Sequence, residues 1–377
     1  FSAMSNLYIH YPFCKQACHY CNFHFSTNAK GRDQMMDLIE EELHMRASEL
    51  KSPLESIYFG GGSPSLISTE RLQNFIARVK NQFDTVKGVE ITLEVNPDDV
   101  NEEYLQRLKA SGINRLSLGI QSFFEKDLLL MHRAHNKVQA EDALREVRKY
   151  FDNFSLDLIY GMPYSSMENW QDNLIQALRS EPPHISAYAL TIENKTALHH
   201  LVKENKVKLL PDEAVNDQYN LLVDQLEQKA YVNYEFSNFG KPGFFSVNNQ
   251  NYWNGKPYFG LGPSAHSFDG VAERSWNVSN NHLYTIGVHK KKLDRIIERL
   301  NTKDRYNEYI MTSLRKKEGV SLAHVANVFG KTYVAYLEEQ TARHLSPRNL
   351  FWDGDHLKIR KEAKFLTDGI AADLFII

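Results

Sequence analysis

Three cysteines in one short segment constrain this chain more than any other feature of its sequence. Cys14, Cys18 and Cys21 have the spacing C-x3-C-x2-C, and the 377 residues contain no other cysteine. An odd number of cysteines so close together does not suit a framework of internal disulfides. Three thiolates at this spacing can converge on one soft metal centre, which indicates the ligands of an iron–sulfur cluster. The alternative is a structural zinc site with His10 or His19 as the fourth ligand.

The composition is that of an ordinary folded protein. Hydrophobic residues make up 42% and charged residues 24%, and the net charge is −3. This balance gives no electrostatic reason to expect a nucleic-acid partner. No apolar segment approaches the roughly 20 residues of a membrane span, and no signal peptide opens the sequence. We therefore expect a cytoplasmic protein without an integral membrane segment, in a compartment where thiols stay reduced.

Strand-like apolar segments alternate with amphipathic helical segments over the first 230 residues. Leu72, Phe75, Ile76 and Val79, for example, have the spacing of one helix face. The predicted strands span residues 7–11, 56–59, 89–95, 114–120, 154–160 and 185–190. Alternation at this spacing predicts parallel βαβ units. Six such units predict an α/β fold that closes as a partial (β/α)6 barrel.

Unusual residues lie at or near the ends of the first five predicted strands. They are the cysteine segment, the glycine-rich segment 60–65, Glu94, Gln121 and, within the fifth strand, Asp157. A glycine triplet often forms only a tight turn, and a single polar side chain at a strand end often only caps it. Because active sites of such barrels lie at the carboxyl ends of the strands, five such features on one face indicate a ligand site.

The cysteine spacing, preceded by residues 8–13 (YIHYPF), resembles the signature of the radical S-adenosylmethionine (SAM) superfamily. The resemblance implies that the three cysteines hold a [4Fe–4S] cluster and that SAM chelates its fourth iron. It also implies a set of SAM contacts: Tyr8, Gly61, Gly62, Ser63, Glu94, Gln121, Arg133 and Asp157. Glycines let the backbone approach a ligand closely, and Arg133 could bind a carboxylate through two donors. Ser63 stands where the family usually has threonine, which keeps the hydroxyl.

Two positions help to decide which branch of the superfamily the chain resembles. The chain resembles the branch that contains oxygen-independent coproporphyrinogen III oxidases and the HemW haem chaperones. The oxidases carry a further cysteine where this chain has Phe23. HemW proteins carry an H-N-x-x-Y-W segment associated with haem, and here Asn248 replaces its histidine. Since an amide is not an ordinary haem ligand, His266 becomes a candidate ligand, with a buried structural histidine as the alternative.

The sequence suggests three regions. We expect the radical SAM barrel over residues 4–240, a bridging or lid region over 241–300 and a small C-terminal helical domain over 301–377. In the last region Ser321 is a predicted helix cap. A predicted hairpin with Asp353 and Gly354 at its turn makes the domain similar to a winged helix.

The resemblance leaves two functions open. One is a haem chaperone, and the other is the oxidase, which decarboxylates propionate side chains of a porphyrinogen oxidatively to vinyl groups. Either function implies SAM, haem or a porphyrinogen, and an unidentified electron donor. The chaperone also implies a haem-acceptor protein.

Overall fold

The computed structural model of the protein describes residues 5–345 and 349–377. Residue 4, where the predicted barrel domain begins, lies outside the described residues. Six parallel strands, hydrogen-bonded in chain order, form the centre of the fold. They are β1 (Ser5–Tyr11), β2 (Leu54–Gly61), β3 (Thr85–Val95), β4 (Arg115–Gln121), β5 (Phe154–Tyr160) and β6 (His184–Ala189). The predicted α/β fold with a partial barrel is confirmed.

Eight helices lie between these strands or directly after them along the chain, and six of the eight bury side chains in the main hydrophobic core. They are α1 (Arg32–Met45), α2 (Thr69–Gln82), α3 (Glu102–Ala110), α4 (Glu125–Leu130), α5 (Lys137–Tyr150), α6 (Met167–Arg179), α7 (Ala197–Lys203) and α8 (Asp212–Gln228). The buried face of α2 consists of the four apolar residues that predicted it. The periodicity does not predict α4 or α7, because helices of six or seven residues are too short to show it.

Alternation along each strand separates an apolar outer face from a polar inner face. In β1, Leu7 and Ile9 are fully buried in the core beneath the helices, whereas Tyr8 and His10 lie on the opposite face. The inner faces of the other strands carry polar residues such as Glu94 and Asp157. The fold therefore presents a polar interior rather than one filled with aliphatic side chains.

Residues 241–300, the predicted bridging or lid region, consist largely of regular elements. Two strands that precede the region, β7 (Val232–Glu235) and β8 (Asn238–Gly240), extend the sheet beyond β6. Four strands within the region extend it beyond β1: β9 (Tyr258–Leu261), β10 (His266–Phe268), β11 (Glu273–Asn277) and β12 (Arg295–Arg299). Strand β9 pairs in parallel with β1, and β10, β11 and β12 continue outward from it. Two helices belong to the region, α9 (Val247–Trp253) and α10 (Asn281–His289).

The C-terminal part has its own hydrophobic core. Its elements are α11 (Thr302–Leu314), β13 (Val320–Ser321), α12 (Leu322–Val328), α13 (Lys331–Thr341), β14 (Leu350–Asp353), β15 (His356–Ile359) and α14 (Thr367–Asp373). Ser321 caps α12 as predicted. Strand β15 pairs with both β13 and β14 in a small antiparallel sheet, which confirms the winged-helix-like fold. The boundaries at residues 240 and 300 remain predictions.

None of the helices in the described part of the chain combines the length and the apolar character that a membrane crossing requires.

Candidate functional site

A cavity of about 640 Å³ opens at the carboxyl ends of the barrel strands. Its wall brings together residues from separate predicted segments, because the ends of parallel strands meet at one edge of the sheet. Ten of the predicted site residues line it: Cys14, Cys18, Cys21, Gly61, Gly62, Ser63, Glu94, Gln121, Arg133 and Asp157. Their roles as cluster and SAM ligands remain predictions.

The three cysteines lie half-buried in the loop after β1. Burial raises the pKa of Cys14 to about 12; a hydrogen bond with Ser63 opposes this rise, and the neighbouring cysteines add to it. Burial also raises the pKa of Cys21. Thiols with raised pKa values, as at Cys14 and Cys21, need a positively charged soft centre to bind as thiolates. This requirement fits an iron–sulfur cluster.

The cysteines do not form the coordination shell of a single ion. Within the described residues, no group of three or more histidine, cysteine or carboxylate side chains has that geometry. Cluster ligands bind different irons, so their sulfur atoms need not converge on one point.

A chain of hydrogen bonds joins two of the cysteines. Arg133 Nη1 lies 3.4 Å from Cys18 Sγ, and its Nη2 donates to Asn96 Oδ1 at 2.9 Å. Asn96 Nδ2 donates to Ser63 Oγ at 3.0 Å, and Ser63 is hydrogen-bonded to Cys14. Asn96 was not predicted as a site residue, although it follows Glu94 by two positions in the strand-end segment. Its amide connects the predicted SAM contacts to the cysteine loop.

The glycine segment packs against the backbone that leads into the cysteines. Gly62 N donates to Tyr11 O at 2.8 Å, and Ser63 N donates to Phe13 O at 2.7 Å. A Cβ atom on Gly62 would lie 2.6 Å from Phe13 O. Gly61 has φ +107°, a conformation that favours glycine. The glycines are therefore required for contact between two protein segments as well as for any approach of a ligand.

Two carboxyl groups face the cavity from β3 and β5. Glu94 Oε1 accepts a hydrogen bond from Tyr58 OH at 2.9 Å, and burial raises the pKa of Glu94 to about 8. Asp157 accepts a hydrogen bond from Ser117 Oγ at 3.1 Å, and burial raises its pKa. Both side chains are acceptors that the hydroxyl or ammonium groups of a ligand could use. These groups fit the polar parts of SAM.

Gln121 reaches the cavity through an irregular strand end. Its φ is +65°, and the register between β4 and β5 shifts there. A Cβ atom on Gly119 would lie 3.0 Å from Gln121 Nε2 and 3.1 Å from Arg133 Nη2. Gly119 therefore leaves room for both side chains. Backbone conformations of this kind are costly and are concentrated at functional sites.

Two predicted site residues do not line the cavity. Tyr8 lies behind its wall, where its ring stacks on Tyr58 and its hydroxyl lies 3.2 Å from His10 Nδ1. His266 is exposed on β10, with its ring stacked on Trp276. The interpretation of His266 as a buried structural histidine is wrong, because β10 belongs to the extended edge of the sheet.

The segment that contains Asn248 lies at the other end of the barrel. Glu90 in β3 accepts hydrogen bonds from the backbone N–H groups of Val247 and Asn248 at 3.1 and 3.2 Å. Asn251 Nδ2 donates to Asn6 Oδ1, near the start of β1, at 2.8 Å. Helix α9 therefore packs beneath the amino ends of the strands, so this part of the predicted lid region does not cover the mouth. Asn249 of α9 reaches the inner end of the cavity.

Comparisons with known proteins agree with this arrangement. The sequence pattern of the radical SAM superfamily matches residues 8–174. The chain is 31% identical over 334 residues to the haem chaperone HemW of Bacillus subtilis, with 87% of this chain and 88% of that protein covered. It is 30% identical over 379 residues to HemW of Lactococcus lactis, with 97% and 98% covered.

A solved structure shows the same fold. The chain superposes on coproporphyrinogen III oxidase (HemN) from Escherichia coli with a TM-score of 0.83, at 21% identity, over 99% of this chain and 90% of that chain. At this identity the likeness concerns the fold alone. The relatives of known sequence place the chain more narrowly: it belongs to the HemW family of the radical SAM superfamily.

Proposed function

We propose that this protein binds haem and delivers it to an acceptor protein, with a [4Fe–4S] cluster and SAM as its cofactors. Membership of the radical SAM superfamily implies the cluster, SAM and an electron donor. The observation that carries the proposal is the convergence of three cysteines and seven predicted SAM contacts on one cavity in a HemW-family chain. Haem is the ligand named for the curated relatives.

The chain's own residues have separable roles in this proposal. Cys14, Cys18 and Cys21 hold three irons of the cluster, which supplies one-electron chemistry when bound. Arg133 connects Cys18 to Asn96 and presents a charge to the carboxylate of SAM.

The cavity wall provides the remaining contacts with SAM. Glu94 and Asp157 accept hydrogen bonds from its ribose hydroxyls or amino group, and Gln121 adds an amide to the same wall. Tyr58 and Ser117 donate hydrogen bonds to these two carboxyl groups and fix their orientation at the wall.

Phe23 favours the chaperone over the oxidase. The oxidase branch carries a further cysteine at this position, whereas the Phe23 side chain lies at the cavity wall with 68% of its surface exposed. A phenyl ring cannot supply a thiol to the chemistry at the cluster. The position instead offers an apolar surface beside the cysteines.

His266 is the haem ligand in this proposal. Its imidazole is exposed, so an iron could reach it without unfolding of the sheet. Burial on one side and the neighbouring Arg274 lower its pKa, which favours the neutral imidazole that binds haem iron. Asn248 offers only an amide, and its backbone is held by Glu90 beneath the barrel.

A haem titration of the anaerobically reconstituted protein tests the proposal. We expect the native protein to bind haem and His266→Ala to bind it at least tenfold more weakly with a shifted Soret band. His282→Ala is the matched control, because His282 is also exposed and has no assigned role. Asn248→His should tighten haem binding if the α9 segment faces haem.

Two results would contradict the proposal. One is the absence of haem binding by the native protein. The other is measurable conversion of coproporphyrinogen III to protoporphyrinogen in the presence of SAM and a reductant, which would identify the protein as the oxidase.

A further inference from the structure

The inner end of the cavity contains a buried cation that the assigned SAM site does not use. Arg115, the first residue of β4, has only 2% of its side-chain surface exposed, yet it lines the cavity. Gln121 at the mouth lies six positions further along β4, which corresponds to about 20 Å along the strand. Arg115 is therefore distant from the cysteine end of the cavity.

The described residues leave the guanidinium of Arg115 without a hydrogen bond. Its Nε is buried and has no partner, and the nearest acidic atom, Glu90 Oε2, lies 3.8 Å away. That distance is too long for a hydrogen bond. Glu90 itself accepts hydrogen bonds from the backbone N–H groups of Val247 and Asn248. The second nearby carboxylate, Asp157, is hydrogen-bonded to Ser117.

An unsatisfied guanidinium is costly in such a place. It carries five N–H donors in a fixed planar arrangement, and burial of a charge without hydrogen bonds opposes folding. Either water or a ligand must accept these hydrogen bonds in the working protein. A carboxylate matches the arrangement best, because its two oxygens accept two parallel hydrogen bonds and also neutralise the charge.

The surroundings of Arg115 suit a small polar head group. The inner end of the cavity is lined by the hydroxyls of Ser117, Ser155 and Ser186 and by the amide of Asn249. Higher up, Ile159 and Tyr188 contribute apolar surface to the same wall. A ligand with a carboxylate at one end and a short apolar chain behind it would match this order of side chains.

We propose that the inner end of the cavity is a carboxylate-binding site in which Arg115 is the anchor. The carboxylate belongs either to a small free acid or to a carboxylate arm of a larger ligand, such as the propionate of a tetrapyrrole. The site adjoins Asp157, which is hydrogen-bonded to Ser117, whereas the SAM contacts in the glycine segment lie nearer the cysteines. It does not depend on haem binding. Strand β4 and helix α9 both contribute to the site, through Arg115 and Asn249.

The test compares two small probes of the same shape. Binding of ¹³C-labelled propionate and of neutral propionamide to the cluster-reconstituted protein is measured by ligand-observed NMR. We expect propionate to bind with a millimolar dissociation constant and propionamide to bind at least tenfold more weakly. Equal binding of the two probes, or no binding of propionate, would mean that Arg115 is satisfied by water and would overturn the proposal.

Two variants connect the result to the site. Arg115→Gln should weaken propionate binding at least tenfold. Asn249→Asp should do the same by placing a negative charge beside Arg115, and it keeps the buried guanidinium in case Arg115→Gln does not fold. Unchanged propionate binding in a folded Arg115→Gln or Asn249→Asp protein would overturn the proposal.

A further pair of ligands identifies the source of the carboxylate. Haem and haem dimethyl ester share the macrocycle, but only haem has free propionates. If the native protein binds haem more tightly than the dimethyl ester, and Arg115→Gln abolishes this difference, the carboxylate belongs to a tetrapyrrole arm. Propionate binding without any binding of haem keeps the carboxylate site and removes haem from the proposed function.

Discussion

Arg133 Nη1 lies 3.4 Å from Cys18 Sγ, so a cation contacts one of the three predicted cluster ligands directly. The same guanidinium donates to Asn96 Oδ1 and to Gly119 O. One side chain therefore connects the cysteine loop with the ends of β3 and β4. Any ligand beside the cysteines would meet this charge.

Replacement of Arg133 by lysine should weaken SAM binding. Lysine keeps the charge but cannot contact Cys18, Asn96 and Gly119 together, because it lacks the planar group of arginine. Loss of a charge-assisted hydrogen bond costs about 1.5–3 kcal/mol, so we expect SAM affinity to fall about tenfold or more in anaerobic equilibrium dialysis. Arg148→Lys, an exposed pair with Glu181, is the control. Native affinity in Arg133→Lys would refute its assignment as a SAM contact.

Each cysteine should be indispensable for the cluster. Single Cys14→Ala, Cys18→Ala and Cys21→Ala variants should retain little iron after anaerobic reconstitution, because the chain has no spare thiol. Iron content and the visible absorption band measure this. Phe23→Ala changes a neighbouring residue of the cavity wall without removing a ligand, so it should assemble the cluster normally. Stoichiometric zinc without iron uptake in the native protein would instead support the zinc site.

A methyl group at Gly62 should disturb the cysteine loop as well as SAM binding. The new Cβ would lie 2.6 Å from Phe13 O, one residue before Cys14, so the backbone must move. We expect Gly62→Ala to lower both the iron content and the melting temperature. Gly369→Ala has open space around its Cβ and serves as the control. Full iron retention with only SAM affinity reduced would mean that Gly62 acts on the ligand alone.

Glu94 should make the cofactor-free protein less stable as the pH rises. Its pKa in the folded state is about 8, above the ordinary value of 4.5. Between about pH 4.5 and 8 the folded state therefore holds a proton that the unfolded state has lost, and the free energy of unfolding falls as pH rises through this window. Glu94→Gln should remove this part of the pH dependence.

Urea unfolding at several pH values measures the effect. The difference in the free energy of unfolding between the native protein and Glu94→Gln should change steadily from pH 5 to 8. Glu103 is exposed, so the free energy of unfolding of Glu103→Gln should depend on pH as that of the native protein does. Parallel curves for Glu94→Gln as well would show that Glu94 titrates normally.

The sequence alone determined much of the barrel. Strands and helices follow from local periodicity, so residues 154–160 were predicted with the bounds that β5 has, and the buried face of α2 contains the expected residues. The position of the site followed from the same pattern, because parallel strands bring their carboxyl ends together. The cysteine spacing is likewise a local property.

Only the tertiary structure decided what depends on distant parts of the chain. Asn251 contacts Asn6 across 245 positions, and this packing places α9 beneath the barrel. Strand β9 likewise pairs with β1, although the two strands are distant in the chain. His266 lies on the next strand, β10, where it is exposed. Local periodicity carries no information on such pairings, because each depends on complementary surfaces that form only when the chain folds. The lack of a hydrogen bond at Arg115 Nε could not be predicted either, since a hydrogen-bond partner is present or absent only in three dimensions.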